Sequence, residues 1–252
     1  MTKQKELMGN SDLDVYSSET LPREEMLQVK SGLYSLLGRL FEEEVDLPLL
    51  ELLRGELADS LAEAGVILSK DMAEGDPEQV LSALAEEYTG LFVQPGCVSP
   101  YRSVFETGRM FQPPCDEASA AYKKAGWEFK HRLSGEFPDH MGVMLTFISK
   151  LYSSEADALQ KGDVARADEW RDMREKFIVD QIGPWGLGWC QRARLLSQQQ
   201  FYSSILALAE EVLLEEIKEL ASSDQFQELV NLNRRPPVKL DYNADFRKAS
   251  GV

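Results

Sequence analysis

Apolar residues in this chain recur at the spacing of an α-helix, segment after segment, and almost nowhere at the alternation of a β-strand. Leu33, Leu36, Leu37, Leu40 and Phe41 fall at i, i+3, i+4, i+7 and i+8, which is one stripe on one helix face. Met141, Met144, Leu145, Ile148, Leu151 and Tyr152 repeat the pattern, as do Phe201, Ile205, Leu208, Val212 and Leu213. β-Branched residues are sparse. A helix with one apolar stripe must bury it against another element. The pattern therefore predicts an all-α fold, a single globular domain of roughly nine or ten helices. No internal repeat stands out, which argues against a solenoid.

The boundary signals divide the chain further. Residues 1–22 are polar and aperiodic and read as a flexible leader. Residues 23–222 read as the helical domain, and 223–252, with Arg234-Arg-Pro-Pro237, as an extended tail. Within the domain, helices are expected over about 23–43, 46–64 with Pro48 near its start, and from Asp76-Pro77 through Val80, Leu84, Tyr88 and Phe92. Residues 93–114 hold four prolines, Pro95, Pro100, Pro113 and Pro114, and read as a structured connection with one short helix after Ser103. Further helices are expected over about 116–133, from Pro138 to Lys161, from an Asp163 cap to Ile182, and from a Ser197 cap to Ala221. Gly183-Pro-Trp-Gly-Leu-Gly188 reads as a hinge between helices.

Composition narrows the function classes. The chain has 252 residues and a formal charge of −16, and 43% of it is apolar, enough for a sizeable core. An acidic surface argues against tracking a nucleic-acid backbone and favours basic partners. Cys97, Cys115 and Cys190 are odd in number and lack chelating spacing, so neither a disulfide scaffold nor a zinc knuckle is expected. The first twenty residues lack the apolar core of a secretory signal. Met141–Ile148 is too short to span a bilayer. These features predict a cytoplasmic protein.

Concentrated chemistry is scarce. The two histidines are His131 and His140. Glu128-Phe-Lys-His131 is one Glu-x-x-His turn, but Phe137 stands where a second would need its Glu, so no di-metal centre is expected. There is no HExxH, no phosphate-binding GxxxxGK[ST] and no G-x-S-x-G, so neither metal nor cofactor is expected. Asp139-His140 is the sole obvious acid–base pair. On one helix the two would point about 100° apart, and Asp139 would also suit a first helical turn. The aromatic residues Tyr88, Phe92, Tyr101 and Phe105 suit a core or a recognition surface. Tyr101, in a proline-flanked loop, suits the latter better.

These residues carry a resemblance. Tyr88-x-x-Leu91-Phe92 with a following proline, Pro100-Tyr101-x-Ser103-Val-Phe105, Pro138-Asp139-His140, Phe177 through Trp185, and Phe201-Tyr202-x-x-Ile-Leu-Ala-Leu-Ala209 resemble the TorD/DmsD/NarJ family over roughly residues 30–215. The resemblance implies a cytoplasmic, all-helical, non-catalytic chaperone. Such proteins hold the precursor of a molybdenum-containing oxidoreductase during cofactor insertion, commonly by its twin-arginine signal peptide. It implicates Tyr88, Leu91, Phe92, Pro100, Tyr101, Ser103, Asp139 and His140 in peptide binding. The aromatic residues would take the peptide's apolar part and Asp139 its arginines. It also allows a monomer or a domain-swapped homo-oligomer hinged at Gly183–Gly188. The chain departs from the family pattern at Arg102, where a Glu is common, and at Gln181, where a His is common. Two other readings stand beside it: a small helical hydrolase using Asp139 and His140, and a permanent helical subunit of a redox complex.

Overall fold

The computed structural model describes residues 21–94, 96–130, 137–236 and 238. The expected leader lies almost wholly outside them, as do His131 and half of the expected extended tail. Among the described residues there are twelve α-helices, two short π-helical turns and no strand.

The chain opens with α1 (Arg23–Glu42), whose stripe of Leu37, Leu40 and Phe41 is buried as its spacing predicts. The expected helix over 46–64 is two: α2 (Leu47–Arg54), capped by the Asp46 carboxylate accepting from the Leu49 N–H, and α3 (Ala58–Glu63). The break falls at Gly55, where the Arg54 side chain turns away to donate to the carbonyls of Met72 and Gly75. A short α4 (Lys70–Glu74) precedes α5 (Pro77–Tyr88), which Asp76 caps through the Gln79 N–H. The apolar run continues past α5 in a π-helical turn, Thr89–Val93.

Next come α6 (Arg102–Thr107), the short helix expected after Ser103, and α7 (Pro113–Lys124). The α7 helix starts earlier than expected because two prolines occupy its first turn, where a missing N–H costs little. The central α8 (Met141–Gln160) begins three residues after Pro138, and α9 (Val164–Phe177) runs into a second π-helical turn, Ile178–Ile182. Then follow α10 (Gly186–Leu196) and α11 (Gln200–Leu220). Ser197 ends α10 rather than capping α11, and its hydroxyl donates to Glu87.

One expectation needs correction. The tail does not become extended at 223, because α12 (Ser223–Asn233) follows. Its start is a capping box: Ser222 Oγ accepts from the Gln225 N–H while the Gln225 side chain accepts from the Ser222 N–H. Gly183–Gly188 is the expected break between helices: Gly183–Trp185 links the second π-helical turn to α10, whose first turn is Gly186–Gly188, and Trp185 and Trp189 beside it are fully enclosed.

The core centres on α8, which packs against α1 on one side and α9 on another, while α10 pairs with α11. α1 and α8 approach closely at two glycines. A Cβ on Gly142 would lie 2.7 Å from the Gly38 carbonyl oxygen, and one on Gly38 would lie 2.4 Å from Thr146 Oγ1. Buried charge pins the other end of α8. Arg174 donates to Glu155 at 3.0 and 3.2 Å, Tyr152 donates to Glu216 at 2.5 Å, and Lys30 and Arg23 reach the same two carboxylates at 2.7 and 2.9 Å. This network joins α1, α8, α9 and α11 with each acid multiply paired, the condition under which buried ions are tolerated. No helix among the described residues is long and apolar enough to cross a membrane.

Candidate functional site

The Pro100–Ser103 loop and the Pro138–Gly142 stretch are drawn together by a short backbone ladder. Tyr101 and His140 form an isolated antiparallel bridge. The Arg102 N–H donates to the Asp139 carbonyl at 3.1 Å, and the Met141 N–H to the Pro100 carbonyl at 2.7 Å. Pro100 has no N–H to offer, so it contributes only its carbonyl.

Side chains complete the junction. Asp139 Oδ2 accepts from the Ser103 N–H at 2.8 Å, so this carboxylate caps α6 from outside that helix. His140 is the N-cap of α8, its Nδ1 accepting from the Gly142 N–H at 3.1 Å. A neutral imidazole accepting at Nδ1 carries its proton on Nε2. The expected placement of both residues inside the first turn of α8 is thus corrected. They precede that helix and serve two different N-termini, α6 and α8. Tyr122 adds a hydroxyl that donates to the Pro138 carbonyl at 2.6 Å, and burial lifts its ionisation well above the usual tyrosine range. Burial, then the Asp139 and Asp116 carboxylates, push the Cys115 thiol up to about 11, so it stays protonated at neutral pH.

The eight residues singled out from sequence separate into two groups. Tyr101, Ser103, Asp139 and His140 meet at this junction, with Pro100 beside them. Tyr88, Leu91 and Phe92 lie in the core, at 7, 2 and 5% exposure. The Phe92 ring stacks on Trp189 and meets Phe41, Tyr88 and Tyr202 edge-on, and the Tyr88 hydroxyl donates to the Phe41 carbonyl. Buried among these rings, they offer no groove wall in this conformation. Asp139, at 2% exposure, likewise has its carboxylate turned to Ser103 rather than to solvent.

Sequence reasoning missed the part of this candidate site that reaches the surface. A file of rings runs from His140 through Tyr101 and Phe137 to Phe111, with centroids 5.0, 5.8 and 4.2 Å apart. Phe111 is 71% exposed and has φ of 55°, a left-handed conformation that a bulky side chain adopts only under constraint. A hollow of about 330 Å³ opens beside this file, lined by Phe111, Cys115, Ser119, Phe129, Phe137 and Pro138, with Lys123 and Glu128 at its rim. No local pattern marks Phe111, and the ring it meets, Phe137, is 26 positions away in the chain. A larger apolar hollow of about 630 Å³ lies elsewhere, between α1, α2, α3 and α11.

Arg102 and Gln181, the two departures from the family pattern, touch each other. The buried Arg102 guanidinium donates to Gln181 at 2.7 Å, Glu106 at 2.9 Å and Glu117 at 3.1 Å, tying α6 to α7 and to the second π-helical turn. The described residues bring no three His, Cys, Asp or Glu side chains together as a metal site, and His131 lies outside them.

Comparisons with known proteins bear on the same region. A family model described as the nitrate reductase delta subunit matches residues 53–191, which include all eight candidate residues. The chain is 26% identical over 170 residues to the chaperone protein TorD of Shewanella pealeana, spanning 57% of this chain and 75% of that relative. A crystal structure of a candidate redox enzyme maturation protein from Archaeoglobus fulgidus is 19% identical. The match covers 79% of this chain and 98% of that one, with a TM-score of 0.39.

Proposed function

This chain belongs to the nitrate reductase delta subunit family, the TorD/NarJ group of redox-enzyme maturation proteins, and on that premise we propose that it holds the precursor of a molybdenum-containing oxidoreductase in the cytoplasm by that precursor's twin-arginine leader. The family is one of chaperones rather than enzymes. The hydrolase reading loses its physical basis, since Asp139 and His140 are each committed to a helix N-terminus.

The observation that supports peptide binding is the aromatic file ending in exposed Phe111 beside an apolar hollow. A leader has a basic front and an apolar middle. The hollow suits the apolar part, with Phe111 and Phe137 as rigid surfaces against which it packs. The net charge of −16 favours encounter with the basic front. Pro100, Ser103, Asp139 and His140 shape this surface from behind. Tyr88, Leu91 and Phe92 would reach a peptide only if the core opened.

Calorimetric titration of the protein with a synthetic twin-arginine leader tests the reading. Binding is expected, and it should weaken as salt rises, because exposed charges are screened beyond about 10 Å at 0.1 M salt. No heat, together with no competition by unlabelled leader, would overturn leader recognition. Affinity purification from cells separates a chaperone from a permanent subunit. The precursor should co-purify and the cofactor-loaded enzyme should not.

A further inference from the structure

The apolar hollow of about 630 Å³ between α1, α2, α3 and α11 shares no lining residue with the hollow beside Phe111. One wall is α1, through Val29, Leu33 and Leu36, which follow one another at i, i+4 and i+7. Leu33 and Leu36 belong to the apolar stripe of α1, yet they are only half-buried where Leu37, Leu40 and Phe41 are enclosed, and Val29 is 63% exposed. The stripe is wider than the core that covers it. Across from it the lining includes Leu52 of α2, Leu57 at the start of α3 and the buried Leu208 of α11.

Gly32 sits in the α1 wall, and a Cβ there would meet nothing within 4 Å. Its φ is not left-handed either, so neither packing nor backbone in this chain calls for glycine. Glycine weakens a helix interior. What it offers is a bare stretch of backbone that another helix can approach closely. Charge around the hollow is one-sided. Glu56 lines it. Glu25 stands one turn before Val29, Glu63 one turn after Ser60, and Glu211 and Glu215 one and two turns after Leu208, all of them exposed. The lining cation, Arg39, is already held by Asp46 at 3.2 Å and Glu43 at 3.7 Å.

We propose that this groove receives an amphipathic helix of a partner protein, apolar on the face it buries and rich in lysine or arginine along its edges. A helix laid between α1 and the α2–α3 pair packs on the face of α1 that α8 leaves uncovered. Its backbone comes close at Gly32 and its apolar side chains fill the hollow. Its basic edges meet Glu25, Glu56, Glu63, Glu211 and Glu215. A second copy of this chain does not fit, since a charge of −16 brings acid to acid. Nor do the chain's own first twenty residues, where Lys3 and Lys5 stand against Glu6, Asp12, Asp14 and Glu19. The groove and the leader-binding surface are separate readings, and neither depends on the other.

A labelled synthetic helix, with leucines along one face and lysines along both edges, tests this by fluorescence anisotropy with the full chain. It should bind, and binding should weaken as salt rises. The same helix with glutamates in place of the lysines should not bind. Gly32→Ala supplies the second arm. It should raise the denaturation midpoint of the free protein, because the methyl enters open space, and weaken the lysine helix about tenfold, because the methyl stands in the interface. No binding of the lysine helix to wild type overturns the groove, and equal binding of the glutamate helix overturns its charge preference. A Gly32→Ala protein that is more stable but binds unchanged overturns the close approach at Gly32. Competition by a synthetic peptide of residues 1–20 would make the chain's own first segment the occupant. Competition by a twin-arginine leader would make the groove the leader's site. Either result overturns a separate partner, whereas a leader that binds without displacing the helix supports it.

Discussion

At the scale of single residues, the candidate site is defined by where two polar side chains are spent. Asp139 holds the start of α6 and His140 the start of α8. Asp139→Ala removes a cap acceptor and should cost about 0.5–2 kcal/mol by urea denaturation, whereas Asp139→Asn keeps an acceptor and should cost less. Ser103 is the complementary case. Its side-chain oxygen is buried without a hydrogen-bond partner among the described residues. Ser103→Ala should leave stability unchanged or raise it, because an unsatisfied buried hydroxyl is itself a cost. A clear loss of stability in Ser103→Ala would show that the hydroxyl is satisfied after all. Loss of leader affinity at unchanged stability would place Ser103 in contact with the peptide. The sequence marked both positions, but not what they bond. Histidine is an unusual N-cap, and Asp139 acts across 36 positions of chain.

At the scale of elements, α8 is the organiser, and its position depends on one close crossing. Gly142 sits against the α1 backbone and also donates its N–H to His140, so the crossing and the site share a residue. In an ordinary helix, Gly→Ala would stabilise by up to about 1 kcal/mol. Here Gly142→Ala should instead destabilise by about 1–3 kcal/mol, since the added methyl meets backbone atoms that have no rotamer to escape into. Denaturant midpoints at constant slope decide the sign, and a stabilised Gly142→Ala would mean that the helices are not held this close. The stripes that place α1, α8 and α11 were plain in the sequence. The Gly38–Gly142 contact was not, because a lone glycine in a helical pattern reads only as a mild penalty. The break at Gly55 was missed for a related reason: it is stabilised by Arg54 reaching Met72 and Gly75, contacts that periodicity does not see. The capping box at Ser222-x-x-Gln225 was legible, and the helix it starts could have been read from it.

At the scale of the whole molecule, the core is rich in buried phenols, and this sets its response to pH. Burial raises Tyr34, Tyr88, Tyr122, Tyr152 and Tyr202 above the ordinary value of 10.0, and Cys115 and Cys190 above 9.0. In the unfolded chain these groups lose their protons first, so above those values the native state binds more protons than the unfolded one. Stability from this source is complete below about pH 9 and is lost as pH rises through the raised native values. Denaturation midpoints should therefore fall steeply above about pH 10, and a midpoint that stays flat to pH 11 would contradict the burial of these rings. The same enclosed rings mark the boundary between what the chain declares and what the fold decides. By itself the sequence determined the helical class and the main helices. Those depend on periodicity and caps, which act within a few residues. Only the tertiary structure decided that Tyr88 and Phe92 turn inward while Phe111 turns outward, that Asp139 and His140 serve different helices, and that Arg102 meets Gln181 across 79 positions. Those outcomes depend on which helix faces close on one another, and no local spacing encodes a contact made through space.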